Sequence, residues 1–361
     1  RISATGIGNF TIIKVTKSIY YCKLMEAQCM ADLKKMYGDV FNKIETYDNV
    51  TRFSRGEADD GSSSMTIHHI MPGVDVYYNN FNTNDSIEAS YMPDALNIIE
   101  INHCRQGRFG CLLSEDRYVY LGEGEIEANI LGIERITSEF PLGFYEGIGI
   151  CLDVDKAAEY ISSMFPNIAR QIYLLRDQIK QNDNMVFIRR VPELNHIFEE
   201  LYSVDPQIEQ SYIKLKVLEI ILMIQTVPYA REDDAALYFR RSDMEKVKAL
   251  HNEAISRLGE KIPLSEMARR YDISQTALKS CFREIYGCPY YTYMKRYRVH
   301  KAVHMLEDKE RSISNIAGAL GYDNPSKFAA AFRSVMGCTP REYRKNSDHL
   351  EHLQLVGVEI E

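Results

Sequence analysis

No stretch of this 361-residue chain approaches the run of about 20 apolar residues that a bilayer-spanning helix needs. The nearest candidate, Val217 to Ile224, is short and carries Glu219. No charged-then-apolar secretory pattern stands at the front. None of the eight cysteines (positions 22, 29, 104, 111, 151, 281, 288 and 338) belongs to a C-x-x-C pair. Without that spacing neither a thiolate metal knuckle nor a dithiol redox motif has support, and the expectation is reduced, partly buried thiols in a cytoplasmic protein. Also missing are a phosphate-cradling glycine loop, a nucleophile–base pairing and a metal-ligand spacing. These absences argue against an enzyme and leave no cofactor and no metal to expect.

What is present is a globular composition, 45% hydrophobic and 26% charged, in a chain long enough for two or three domains. The formal charge of -8 speaks at first against nucleic acid. Its distribution reverses that impression. Residues Ser242 to Lys345 hold 19 Lys+Arg against 12 Asp+Glu, a net of +7, leaving 24 basic and 39 acidic residues elsewhere, a net of -15. An acidic body joined to a basic module is the electrostatic layout of a DNA binder with a separate sensor.

The order of patterns predicts an α+β chain in five parts. Residues 1–60 read as a strand, a helix over Tyr20 to Tyr37 and a turn-rich linker at Gly56 to Ser64. Residues 61–230 begin with short apolar runs, among them Thr66 to Ile70, Leu96 to Ile101 and Tyr118 to Leu121, broken by Pro-Gly, Gln-Gly and Gly-Glu-Gly. That spacing suggests a small β-barrel or jelly roll, cupin-like in outline. After Asp153 the period turns helical, with helices over Asp155–Phe165, Asn167–Lys180, Pro192–Tyr202 and Pro206–Thr226. The last carries two apolar stripes, Leu215/Leu218/Leu222 and Ile213/Val217/Ile220/Ile224. One stripe suffices for a surface helix. The second is either a homodimer seam or packing under the β domain. Residues 231–241 read as a linker, and Ser242-Asp-Met-Glu245 as a capping box opening a helical unit over 242–345. A β-like tail, 346–361, follows without a functional reading.

The most specific feature is an internal repeat. Phe282-Arg-Glu-Ile-Tyr-Gly-Cys-Pro289 returns 50 residues later as Phe332-Arg-Ser-Val-Met-Gly-Cys-Thr-Pro340. Each copy closes a pair of short amphipathic helices. In the first, Leu264, Met267, Ala268 and Tyr271 keep the i, i+3, i+4, i+7 rhythm, Ser274 is a candidate N-cap, and Leu278, Cys281, Phe282 and Ile285 line the second helix. In the second, Ile313, Ile316, Ala317 and Leu320 are followed by a turn at Gly321–Pro325 and by Phe328, Ala331 and Phe332. Two such hairpins are two helix-turn-helix units. Between them Tyr290 to Glu307 reads as one helix of about 18 residues and roughly 27 Å, which can hold two recognition helices about 34 Å apart, one DNA turn.

Those segments carry a resemblance. Leu264-Ser-Glu-Met-Ala-Arg-Arg-Tyr271, Ile273 to Leu278, Arg298 with Ala302, Ile313 to Ala317, Gly321-Tyr, Ser326-Lys-Phe, Phe332-Arg and Gly337-Cys-Thr-Pro-Arg-Glu-Tyr-Arg344 closely resemble the C-terminal DNA-binding domain of the AraC/XylS family of bacterial transcription regulators. The resemblance covers a little under a third of the chain. It implies that Gln275, Thr276, Lys279 and Ser280, outward on the first recognition helix, face bases or the groove. Lys279 suits guanine and Gln275 adenine. Asn324, Ser326, Lys327 and Ala330 correspond in the second unit. The small or apolar Pro325 and Ala330 suggest that this unit positions more than it specifies. Arg283, Lys295, Arg296, Arg333, Arg341 and Arg344 are phosphate-contact candidates.

In that family the preceding barrel binds an effector and dimerises. Met71-Pro-Gly73 and Glu100 to Arg105 look similar to the sensor half of siderophore-responsive members. Effector-binding candidates on the β segments are Tyr78, His103, Arg105, Arg108, Tyr118, Tyr120 and Tyr145. His103 shares a face with Ile99 and Ile101 and either points into a barrel or is a hydrogen-bonded core residue. Arg105 and Arg108 could together hold an anionic effector. His68/His69 and His103/Cys104 are adjacent pairs, so strand alternation keeps each pair off a single ion, and the His/Glu spacing of metal-binding cupins is missing. The reading is therefore a small-molecule-responsive regulator, a homodimer on duplex DNA, with RNA polymerase as partner if it activates. The alternatives are a ligand-independent dimeric DNA-binding protein and a cupin-type enzyme with a DNA-targeting tail.

Overall fold

The computed structural model describes residues 43–47, 49–54, 63–84, 86–88, 97–113, 116–131, 135–229, 239–260 and 262–346. The helix expected over Tyr20–Tyr37, most of the linker at 56–64, residues 231–238 and the tail after 346 lie outside them.

Strands β1 (Lys43–Tyr47), β2 (Val50–Ser54), β3 (Ser64–Met71), β4 (Val74–Asn82), β5 (Ile87–Glu88), β6 (Ile98–Leu113), β7 (Arg117–Gly122), β8 (Glu125–Ile130), β9 (Arg135–Glu139) and β10 (Phe144–Asp153) come first. All pairings are antiparallel. The 16-residue β6 organises the domain. Its first half lies between β10 and β8, its second half between β7 and β9. The change of partners falls at Gly107, whose φ of 79° is left-handed and where a Cβ would collide with the Phe144 carbonyl. Two sheets thus share one bent strand. The expected barrel is met as this open pair: the path β1-β2-β3-β4-β10-β6-β7 does not return on itself.

The strands are followed by α1 (Val154–Ser162), α2 (Pro166–Gln181), β11 (Met185–Arg189), α3 (Pro192–Leu201) and α4 (Glu209–Met223). Asp153 caps α1 by accepting from the Lys156 amide, and Pro166 and Pro192 open α2 and α3 at positions where a missing N–H costs nothing. Pro206 does not open α4; the Ile208 amide donates to the Asp205 carbonyl in a turn, and the helix starts at Glu209. β11 was not legible as a strand. It pairs with β8, far away in sequence. One face of the first sheet (Val74, Val76, Ile99, Ile101, Ile148, Ile150) packs on α1, α2 and α4 through Ala157, Ile172, Leu175, Ile213, Val217 and Ile220. The other face gathers Phe53, Met65, Ile67, Phe81, Cys104, Phe140 and Tyr145.

After the short β12 (Phe239–Arg240) come α5 (Arg241–Ser256), α6 (Leu264–Arg270), α7 (Gln275–Tyr286), α8 (Tyr290–Glu307), α9 (Ile313–Ala319), α10 (Pro325–Met336) and α11 (Pro340–Asn346). The expected capping box does not form. The N-cap of α5 is Arg240, Ser242 is already helical, and Glu245 instead accepts from Arg241 Nε at 2.7 Å. The repeated phrase has a physical cause. Gly287 (φ 75°) and Gly337 (φ 76°) end α7 and α10 in the left-handed conformation, each donating its amide to the carbonyl of the repeated arginine, Arg283 or Arg333. Phe282 and Phe332 are both wholly buried beneath.

Candidate nucleic-acid interface

α6–α7 and α9–α10 are the two helical hairpins, and each turn is built from local hydrogen bonds. Ser274 Oγ accepts from the Ala277 amide at 3.1 Å, Ser312 Oγ from Asn315 at 3.1 Å, and Asn324 Oδ1 from Lys327 at 2.8 Å. Asp272, at φ 49°, makes the first turn, and Lys246 Nζ donates to its carbonyl at 2.6 Å. The inner faces are dry: Leu278, Phe282 and Ile285 on α7, and Phe328 and Phe332 on α10, have 0% exposure. Beneath α7, His251 stacks on Tyr286 with ring centroids 4.4 Å apart and lies 3.0 Å from the Tyr293 hydroxyl. Burial pushes its pKa down to about 4, so it is a neutral core residue.

The opposite faces are in solvent. Gln275, Thr276, Lys279, Ser280 and Arg283 are exposed along one side of α7, and Ser326, Lys327, Ala330 and Arg333 along one side of α10. Lys295, Arg296 and Arg341 are exposed as well. The Lys327 ammonium makes a surface pair with Asp323 at 3.3 Å, which costs little to open. Two of the candidates also carry structural bonds. Asn324 is exposed, but its side-chain oxygen is committed to the helix cap. Arg344 is a structural tie: its guanidinium donates to the carbonyls of Leu306 at 3.2 Å and Arg311 at 2.7 Å, fastening α11 to the end of α8.

The seven effector-binding candidates do not converge. Tyr78, His103 and Arg105 lie on the helix-covered side of the first sheet. The Tyr78 hydroxyl donates to the Leu201 carbonyl at 3.1 Å, and His103 stacks on Phe198 at 4.4 Å. Arg105 pairs with Glu146 at 2.8 Å and Glu199 at 3.3 Å while its guanidinium covers Tyr202. Burial lowers the His103 pKa to about 4. His103 therefore faces α3 and not the space between the sheets. Arg108, Tyr118 and Tyr120 lie against the helical domain, Arg108 pairing with Glu284 of α7 at 3.2 Å. Arg105 and Arg108 thus serve different carboxylates. Only Tyr145 lies inside, with Phe81, Phe109 and Phe140. Alternation also parts the adjacent pairs: His69 bonds Asp75 at 2.8 Å while His68 packs on Tyr78, and Cys104 lies across the sheet from His103.

A polar row was not anticipated. Glu100, Asn102, Glu127 and Asn129 share the inner face with Cys104, and Asn129 Nδ2 donates to Glu127 at 3.0 Å and to Glu100 at 3.2 Å. Glu127 and Asn129 are at most 1% exposed. The alternation Glu125-Ile-Glu-Ala-Asn-Ile130 looks like a strand with one wet face; the second sheet is what buries it.

A family model described as a helix-turn-helix domain matches residues 267–346. The transcriptional activator RhaR of Mannheimia succiniciproducens is 20% identical over 186 residues, 50% of this chain and 64% of that protein. The C-terminal region thus matches a helix-turn-helix domain. The uncharacterized transcriptional regulator YtdP of Bacillus subtilis is 31% identical over 99 residues, 27% of this chain but 12% of its own length. The chain therefore spans less than two thirds of these relatives, and the likeness to YtdP is domain-sized. A solved transcriptional regulator from Chromobacterium violaceum, described as having an AraC-type DNA-binding domain, is 22% identical, covering 29% of this chain and 95% of that one with a TM-score of 0.27. In the matched helix-turn-helix region of this chain, α7 and α10 are the second helices of the two hairpins.

Proposed function

We propose that the protein is a sequence-specific transcription regulator that reads duplex DNA with the outer faces of α7 and α10. The observation that carries this is the sorting of the repeat: Leu278, Phe282 and Ile285 of one second helix and Phe328 and Phe332 of the other are buried, while Gln275, Lys279, Arg283, Lys327 and Arg333 stand in solvent. Outward amide and cationic side chains on a grooved helix supply both base-edge and phosphate contacts. The full-length chain, given random-sequence duplexes, is expected to enrich one recurring sequence and to bind it with a steep loss of affinity as salt rises. No enrichment, with salt-independent binding, would overturn the reading.

The finer parts rest on separate observations. The inner polar row of Glu100, Asn102, Glu127 and Asn129 supports a small-molecule effector held between the sheets, since polar groups are kept there at a desolvation cost. An effector would raise the melting temperature by mass action, and a ligand-independent DNA binder would show no such rise with any metabolite tried. A homodimer has its support on α4, and RNA polymerase is the further partner if the protein activates.

A further inference from the structure

The two helix-turn-helix units differ in how they are attached. The first shares a continuous core with the sheets: Leu112, Tyr118 and Tyr120 pack with Met244, Val247 and Leu250 of α5 and with Phe282, Ile285 and Tyr286 of α7. The chain enters this unit as a strand, β12, paired to β7 through Phe239 and Tyr118. Lys248 of α5 reaches Glu139 of β9, which also accepts from the Tyr120 hydroxyl, and the Lys248 ammonium stands 4.2 Å above the Tyr118 ring. At the same contact, Arg108 of β6 donates from Nη2 to Glu284 Oε1 of α7 at 3.2 Å, with the arginine and glutamate side chains 8% and 21% exposed. The second unit has its own core, from Val299 to Phe332, which among the described residues draws no member from the sheets. Among the described residues Leu258 alone packs against both cores.

We infer that Arg108 and Glu284 are a positioning pair through which the sheet domain and the first recognition helix sense each other, the second unit standing outside this circuit. The inference rests on the reading that α7 engages DNA. Glu284 follows the exposed Arg283 directly on α7, so a carboxylate anchored to β6 sets the pose of the side chains that would face the duplex. Burial raises the Glu284 pKa and Arg108 opposes that rise. A largely buried ion pair can fix the register of two packed elements even where its net contribution to stability is small.

Coupling between two sites is reciprocal, so DNA at α7 must be felt in the sheet. The test is amide hydrogen exchange of the full chain over residues 108–113 and 117–122, with and without the duplex enriched by the parent protein. The duplex is expected to slow exchange there about fivefold or more in the parent, the lower end of ordinary coupling. Glu284→Gln and Arg108→Gln should each abolish that response, and the exchanged pair R108E/E284R should restore it. Arg333→Ala in the second unit should keep it at saturating duplex. If the neutral variants do not fold, the exchanged pair and the parent decide between the outcomes. A parent that binds the duplex without any response in the sheet, or a Glu284→Gln variant that responds like the parent, overturns this inference alone. A parent that enriches no duplex overturns the DNA-binding reading first.

Discussion

Lys279 is the clearest single residue to test. Its ammonium is exposed in the middle of α7, between Thr276 and Arg283 on the same face. Lys279→Ala is expected to lose about 1–3 kcal/mol of binding and to relax preference at one base position. Fluorescence titration against the enriched duplex and its single-base variants would check this, and unchanged binding would remove Lys279 from the interface. Arg344 behaves oppositely. Arg344→Ala removes two charge-assisted bonds to carbonyls and should destabilise the second unit by about 1–3 kcal/mol, seen as a lower melting temperature with base preference intact. Both residues looked alike in sequence, a basic side chain in a basic module. What parts them is the fold, which brings the ends of α8 and α11 together.

At the level of elements, α4 resolves its two stripes. Ile213, Val217, Ile220 and Ile224 are buried against the sheet, whereas Ile208, Leu215 and Leu222 remain 53%, 63% and 42% exposed at seven-residue spacing. Packing under the β domain accounts for the buried stripe and also takes in Leu218 of the other, and the proposed dimer rests on the exposed Leu215 and Leu222. Leu215→Glu with Leu222→Glu is expected to convert a dimer to a monomer in sedimentation experiments without loss of helix signal, because neither side chain supports the core. A monomeric parent would end this assignment. The helices were legible in sequence to within a few residues, since α1, α2, α3 and α8 carry their own periodicity and prolines. β11 and β12 were not, because a five-residue and a two-residue strand exist only through partners distant in sequence.

For the whole molecule the buried histidines set an acid limit. His103 and His251 are held neutral by burial, with pKa values of about 4, and burial lowers that of His68. The unfolded chain would protonate each near 6.5, so between about pH 6.5 and 4 the unfolded state binds more protons and stability falls as pH falls. Melting temperatures measured from pH 7.5 to 4.5 should drop across that window, and His251→Gln and His103→Asn should flatten the drop. A dependence identical in parent and variants would assign the loss to carboxylates instead.

The amino-acid order alone determined the doubled hairpin, its outward faces and the rod between them. These are local consequences of 3.6-residue periodicity, side-chain caps and two glycines able to hold positive φ. The tertiary structure decided which sheet face is dry and how Tyr78 and His103 part from Arg108. It also brought Glu284 to the sheet, because burial and ion pairing across 176 residues depend on which surfaces meet in three dimensions.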